Sequence, residues 1–179
     1  MQTCLVQKIR CMVCASLAPW VHDMATLDAL DWRLLDALQN DASLTNAALA
    51  ETVGLSASQV SRRRQRLEQE GVIRGYRAAL EPSAVGLGVI VFIHVALDTH
   101  TRDNARRFRD LVRLTPAILE AHALTGEADY LLKVAVGDLK ALAQLVNEIL
   151  MPHESVARVR SEIALETLKE PGVLPLPMT

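Results

Sequence analysis

The sequence predicts an α+β protein in two parts, a helical N-terminal module and a sheet-forming C-terminal one. Three observations predict it. Between residues 27 and 71, apolar residues recur at helical spacing and are punctuated by capping residues and glycines. After residue 88, a strand–helix–strand unit occurs twice in succession. Between these regions, Glu81-Pro82 to Gly88 reads as a linker. Half of the 179 residues are apolar and the formal net charge is only -2, which places the chain among globular rather than disordered sequences. Aromatic residues are 3%, so Leu, Val, Ile and Ala must build the core.

Residues 1–23 stand apart. Lys8 and Arg10 precede the apolar run CMVCASLAPWV, an arrangement that loosely imitates a secretion signal. The segment is read instead as a disordered extension or a mis-assigned start ahead of Met24. All three cysteines, Cys4, Cys11 and Cys14, lie in it. The folded body therefore has no disulfide framework, which suits a reducing, cytoplasmic setting. Cys11 and Cys14 form a single CxxC with no second pair to complete a zinc site, so no metal is expected. No segment has eighteen unbroken apolar residues, so no membrane span is expected.

In the first helix, Leu30, Leu34, Leu35 and Leu38 form one apolar stripe, closed by Asn40, Asp41 and Ser43. The second starts at Thr45, carries Ala48, Leu49 and Val53, and stops at Gly54. The third starts at Ser56, where Ser56 and Gln59 form a capping box, and runs through Val60 and Leu67 to Gly71. Two helices joined by Val53-Gly54-Leu55-Ser56 make a helix-turn-helix at about 46–65, within a domain spanning 27–88. Next, VIRGYRAAL reads as a strand with no obvious partner in its own chain. It would complete a winged version of the module.

The C-terminal module spans 89–170. VIVFIHVAL reads as a strand buried on both faces. A helix with Ala105, Phe108, Leu111 and Val112 on one side follows, then the strands AILEAHALT and DYLLKVAV. A second helix places Leu139, Leu142, Val146, Ile149 and Leu150 on one side and ends at Pro152. In the last strand, Val159, Ser161, Ile163 and Leu165 alternate with Arg158, Arg160 and Glu162. The order β-α-β-β-α-β is ferredoxin-like and ACT-like. Residues 171–179, Pro-rich, read as a loose tail.

Four arginines fall within five positions at Arg62, Arg63, Arg64 and Arg66. They lie in the first half of the second helix of the helix-turn-helix, the half that enters a major groove. Ser56, Ser58, Gln59 and Ser61 precede or join them, short polar groups suited to phosphates and base edges. From 45 to 80 only Glu51, Glu68 and Glu70 oppose Arg62, Arg63, Arg64, Arg66, Arg74 and Arg77. A locally basic module on a near-neutral protein points to double-stranded DNA. Ser56, Ser58, Gln59, Ser61, Arg62, Arg63 and Arg66 are the expected DNA-binding residues.

The stretches LDALDWRLLDALQNDASLTNAALAETVGLS, RRxxxLExEGVIRGY and TGEADYLLKV resemble the leucine-responsive/asparagine-responsive (Lrp/AsnC) regulators of prokaryotes, over about 27–170. The resemblance implies an N-terminal DNA-binding domain and a linking strand that pairs two subunits. It also implies a βαββαβ domain that assembles dimers into a larger homo-oligomer, up to an octamer, and binds an amino acid effector between subunits. Carried over by motif, the effector residues are Gly126, Glu127, Asp129, Tyr130 and Ser161, with leucine or methionine as the expected effector and no cofactor. Two departures stand out. Arg64 occupies a position that is often aliphatic in the family. The loop reads Gly126-Glu127-Ala128-Asp129-Tyr130 where Gly-Asp-x-Asp-Tyr is usual.

Other classes weigh less. Sirohaem decarboxylases share the two-domain plan, and His94 and His122 lie in expected strands, where they read as partly buried sheet histidines. An architectural DNA-binding protein without ligand response is a third reading. No catalytic triad, metal cluster or GxGxxG occurs at usable spacing, so the protein is not expected to be an enzyme.

Overall fold

The computed structural model describes residues 27–98 and 101–177. The readings of residues 1–23, including the CxxC and the start at Met24, fall outside the described residues. The chain divides into two compact units, Met1–Arg77 with Pro171–Thr179, and Ala78–Glu170.

The first unit holds α1 (Ala29–Asn40), α2 (Asn46–Val53) and α3 (Ala57–Gln69). Each start is capped by a side chain. Asp28 Oδ1 accepts from the amides of Leu30 and Asp31, and Asp31 returns an acceptor to the Asp28 amide, completing a capping box. Thr45 caps α2, and Ser56 with Gln59 forms the expected box at α3. Gly54 ends α2 in the left-handed region at φ 76°, a conformation only glycine adopts cheaply. The stripes converge on one core of Leu34, Leu38, Leu49, Ala50, Val53, Val60 and Leu67.

After α3 the sequence reading needs correction. Residues 74–80 have no helix or strand, so neither the expected strand nor a wing forms within the chain. An isolated strand has no ladder partner to satisfy its amides and carbonyls, and none of the four strands supplies one. The tail has no regular structure either, yet it is held. The side-chain amide of Gln39 donates to the Leu174 carbonyl at 2.9 Å and accepts from the Leu174 amide at 3.0 Å. Beside it lies a cavity of about 790 Å³, lined chiefly by apolar groups such as Trp32, Leu35, Val72, Ile73 and Leu176.

The second unit is a four-stranded antiparallel sheet in the order β2-β3-β1-β4. Its strands are β1 (Val89–Leu97), β2 (Ile118–Ala123), β3 (Tyr130–Val136) and β4 (Val156–Ile163). Helix α4 (Arg102–Leu114) and helix α5 (Leu139–Gln144) complete the βαββαβ plan, and α5 continues as a π-helical segment over Leu145–Leu150.

The core lies on one face of this sheet. Val91, Ile93, Val95 and Leu97 of β1 are buried with Leu132, Val134, Phe108, Leu142, Leu145 and Leu150. Strand β1 was expected to be buried on both faces; instead it alternates, with Ile90, His94 and Ala96 half-buried and Phe92 exposed. The helical stripe also shifts. Met151 donates its amide to Val146 at 2.8 Å, an i→i+5 bond. That wider spacing aligns Leu145 with Leu150, both buried, and leaves Ile149 exposed; Leu139, at the first position of α5 ahead of the π-helical segment, is exposed as well.

Candidate nucleic-acid interface and ligand cavity

Helix α3 presents two different faces. Val60 and Leu67 are buried, and Arg63 and Arg64 fall between them at i+3 and i+4, on the stripe that faces the helical core. Those two arginines are accordingly taken up inside the unit. Arg63 Nη1 lies 2.7 Å from Asp28 Oδ2 and 2.7 Å from Asp31 Oδ1. The two carboxylates hold the Arg63 guanidinium further above its ordinary pKa, Asp31 contributing most. Arg66 Nη2 reaches the other oxygen of Asp31 at 2.5 Å. Arg64 Nε donates to the Tyr76 hydroxyl at 2.8 Å, and its guanidinium carbon sits 4.5 Å from the Tyr76 ring centre. Tyr76 in turn donates to Glu68 at 2.8 Å. Burial and the bond to Glu68 raise the Tyr76 pKa, against the pull of Arg64. The Arg64 charge is thus met by an aromatic wall and an acid, Tyr76 and Glu68.

The opposite face is open. Ser58, Ser61, Arg62 and Gln65 are exposed, and Arg62 makes no ion pair among the described residues. Ser56 and Gln59, both expected at the interface, are engaged in the cap: Gln59 Oε1 accepts from the Ser56 amide at 2.9 Å. Of the residues expected to contact DNA, Ser61 and Arg62 therefore lie exposed without a part in the cap or the ion pairs, and Ser58 lies exposed with its hydroxyl 3.1 Å from that of Ser56. Arg63 and Arg66 carry the ion pairs to α1. The sequence signal for this division was the i, i+3, i+4, i+7 stripe of Val60, Arg63, Arg64 and Leu67, which places two charges on the core side.

In the second unit, a cavity of about 400 Å³ opens on the uncovered side of the sheet. His94 and Ala96 of β1, Arg158 and Arg160 of β4, and the loop Leu124–Ala128 line it, together with Val159. Of the expected effector residues, Gly126 and Glu127 line this cavity. Gly126 has φ 155° with open space around its Cα, so backbone conformation rather than crowding calls for glycine. Glu127 pairs with Arg158 at 2.9 Å.

The other three expected effector residues do not line this cavity. Asp129 holds the loop: its Oδ2 accepts from the Leu97 amide at 2.7 Å, and its backbone bonds both Val95 and Leu124. Tyr130 pairs with Val95 in the ladder and so points to the helix side, its ring 4.7 Å from that of Phe108. Ser161 pairs with Ile93 and shares that face. The strand period decides this. Tyr130 and Ser161, in register with buried Val95 and Ile93, direct their side chains to the helix side. His94, Arg158 and Arg160, which do reach the open side, were readable from the same alternation. His94 lies 3.8 Å from Glu162, and His122, expected to be partly buried, is exposed beside Glu120. Among the described residues no His, Cys, Asp and Glu cluster is arranged to hold a metal, and no helix is long and apolar enough to cross a membrane.

Comparison with known proteins agrees with both halves. Residues 27–68 match the family model of the AsnC-type helix-turn-helix domain, and residues 90–174 that of the Lrp/AsnC ligand binding domain. The chain is 37% identical over 153 residues to the glutamate uptake regulatory protein of Zymomonas mobilis subsp. mobilis, covering 86% of this chain and 93% of that one. It is 34% identical over 144 residues to the leucine-responsive regulatory protein of Escherichia coli, covering 80% and 88%. A transcriptional regulator from Neisseria meningitidis, solved as its L-Met complex, superposes with a TM-score of 0.80 at 39% identity, over 84% of this chain and 97% of that one. Escherichia coli AsnC superposes with a TM-score of 0.74 at 26% identity, over 83% and 99%.

Proposed function

The chain belongs to the Lrp/AsnC family of transcriptional regulators, and on that premise we propose that it is a cytoplasmic, sequence-selective DNA-binding protein modulated by an amino acid. The observation that carries the proposal is the outward face of α3. Ser58, Ser61, Arg62 and Gln65 stand exposed on a capped helix that follows a tight turn, the geometry by which a recognition helix enters a major groove. Arg62 supplies the bidentate donor for guanine or phosphate, and the serines supply phosphate contacts. In this reading Arg63 and Arg66 support the helix from behind.

The working unit is a homo-oligomer, at least a dimer. Residues 74–80 lack a ladder partner, the apolar cavity beside Trp32 and Ile73 is open, and Phe92 is exposed on the uncovered sheet face. Each is a surface that a second copy covers.

The effector is a free amino acid, and its site is the cavity beside Gly126. The L-Met complex of the Neisseria meningitidis relative supports this class of ligand. Here Glu127 suits an ammonium and Arg158 a carboxylate, while Ala96, Leu124 and Val159 offer apolar surface for a side chain such as that of leucine or methionine. An effector that binds one assembly state better than another shifts the oligomer, and with it the spacing of the DNA-binding helices. The reading contains no catalytic step, in keeping with relatives named as transcriptional regulators.

A thermal-shift screen of the twenty amino acids tests the effector site. A ligand present at 100 times its dissociation constant stabilises the parent by about 2.7 kcal/mol, and Glu127→Ala and Arg158→Ala abolish the response without lowering the unliganded Tm. An unmoved melting curve for every amino acid, or an undiminished response in both variants, refutes the placement.

A further inference from the structure

Asp31 is the only fully buried charged side chain among the described residues. It lies on α1, remote in sequence from α3, yet its two oxygens receive Arg63 at 2.7 Å and Arg66 at 2.5 Å, and one also accepts the Asp28 amide at 3.1 Å. A buried carboxylate is costly unless every lone pair is met, and a well-packed apolar residue would serve stability equally well. What the ion pairs add is direction. Arg63 and Arg66 lie at i and i+3, on one side of α3, so a single carboxylate fixes the rotation of that helix about its axis. With Arg63 turned to α1, Arg62 is carried about 100° around the helix, away from α1.

We infer that Asp31 is a positioning residue for DNA recognition: its charge locks the rotation of α3 through Arg63 and Arg66 and withholds both guanidinium groups from DNA phosphates. The inference rests on the reading of α3 as the DNA-contacting helix. It makes Arg62 the reader and Arg63 and Arg66 its mount. It also makes discrimination depend on a residue that touches no DNA.

The test compares the full-length parent with Asp31→Asn, which keeps the volume and an acceptor for the Asp28 amide. The probes are a duplex selected by the parent from a random pool and a random duplex, titrated at several salt concentrations. In the folded variant, the preference for the selected duplex falls about tenfold, the scale of one lost base contact. The salt slope on random duplex steepens by about one to two units as the two released arginines find phosphates. A parental preference together with a parental slope overturns the inference. Arg66→Ala, which leaves Asp31 paired with Arg63, covers the case in which Asp31→Asn does not fold. Its slope stays parental if Arg66 is withheld from DNA, and a slope shallower by about one unit overturns the inference. An Arg62→Ala control separates the two levels. Unchanged binding there removes the assignment of α3 itself, whereas weakened binding with an inert Asp31→Asn removes only the role of Asp31.

Discussion

The side chain of Gln39 and the backbone of Leu174 form a closed pair of hydrogen bonds, amide to carbonyl at 2.9 Å and amide to amide oxygen at 3.0 Å. Gln39 thereby presents to the tail what a neighbouring strand would present. Both bonds are exposed, so each contributes at the low end of the usual range, ~0.5 kcal/mol. Gln39→Ala should lower global stability by less than about 1 kcal/mol, while markedly accelerating hydrogen exchange at the Leu174 amide. Exchange at Leu174 in the parent already as fast as in an unstructured peptide would contradict the clasp.

Asp28 links the cap of α1 to Arg63 and titrates accordingly. Burial disfavours its ionised form, but the Asp31 amide, the Arg63 guanidinium and the Leu30 amide together hold its carboxyl below the usual range. A folded pKa below the unfolded one contributes stability above the ordinary value and loses it as pH falls through the folded value. The loss therefore begins below about pH 4. Asp28→Asn keeps a competent cap but not the charge, so it should be less stable than the parent near neutrality and converge on it in acid, which makes its acid-unfolding limb shallower. Identical limbs would show that the Arg63–Asp28 pair does not form in solution.

The two ends of the second C-terminal helical stretch hold contrasting leucines. Leu150 is fully buried against the sheet, whereas Leu139, expected on the same stripe, is 60% exposed. Leu150→Ala should cost about 2–5 kcal/mol, and Leu139→Ala should stay within about 0.5 kcal/mol. Equal losses, measured by urea denaturation, would contradict the burial of Leu150 and the exposure of Leu139.

Much of this was legible in the chain before any fold was known. Gly54, Thr45 and the Ser56/Gln59 pair mark helix ends because the chemistry of caps is local. The order of strands and helices after residue 88 follows from periods of two and 3.6 residues. Residues 72–80 misled because their composition is that of a strand, while a strand's existence depends on a partner that sequence does not display. Ile149 misled because a single extra residue per turn is invisible to a 3.6-residue count, and Leu139 because it stands at the exposed first position of its helix. At the candidate sites, Tyr130 and Ser161 were drawn in by motif, although the alternation that buries Val95 and Ile93 turns them to the other face. The ion pairs of Arg63 were not legible, since a cluster of arginines looks uniform until Asp31, more than thirty positions upstream, is folded against it.

The claim on which the account turns is that the outward face of α3 contacts DNA through Arg62. Fluorescence anisotropy of the parent and Arg62→Ala on the selected and random duplexes, repeated across salt, measures it directly. If Arg62 reads a base, the variant loses ~1–3 kcal/mol of discrimination. If Arg62 holds a phosphate, both duplexes weaken alike and the salt slope falls by about one unit. Parental affinity, discrimination and slope in Arg62→Ala would contradict the assignment of α3 as the recognition helix.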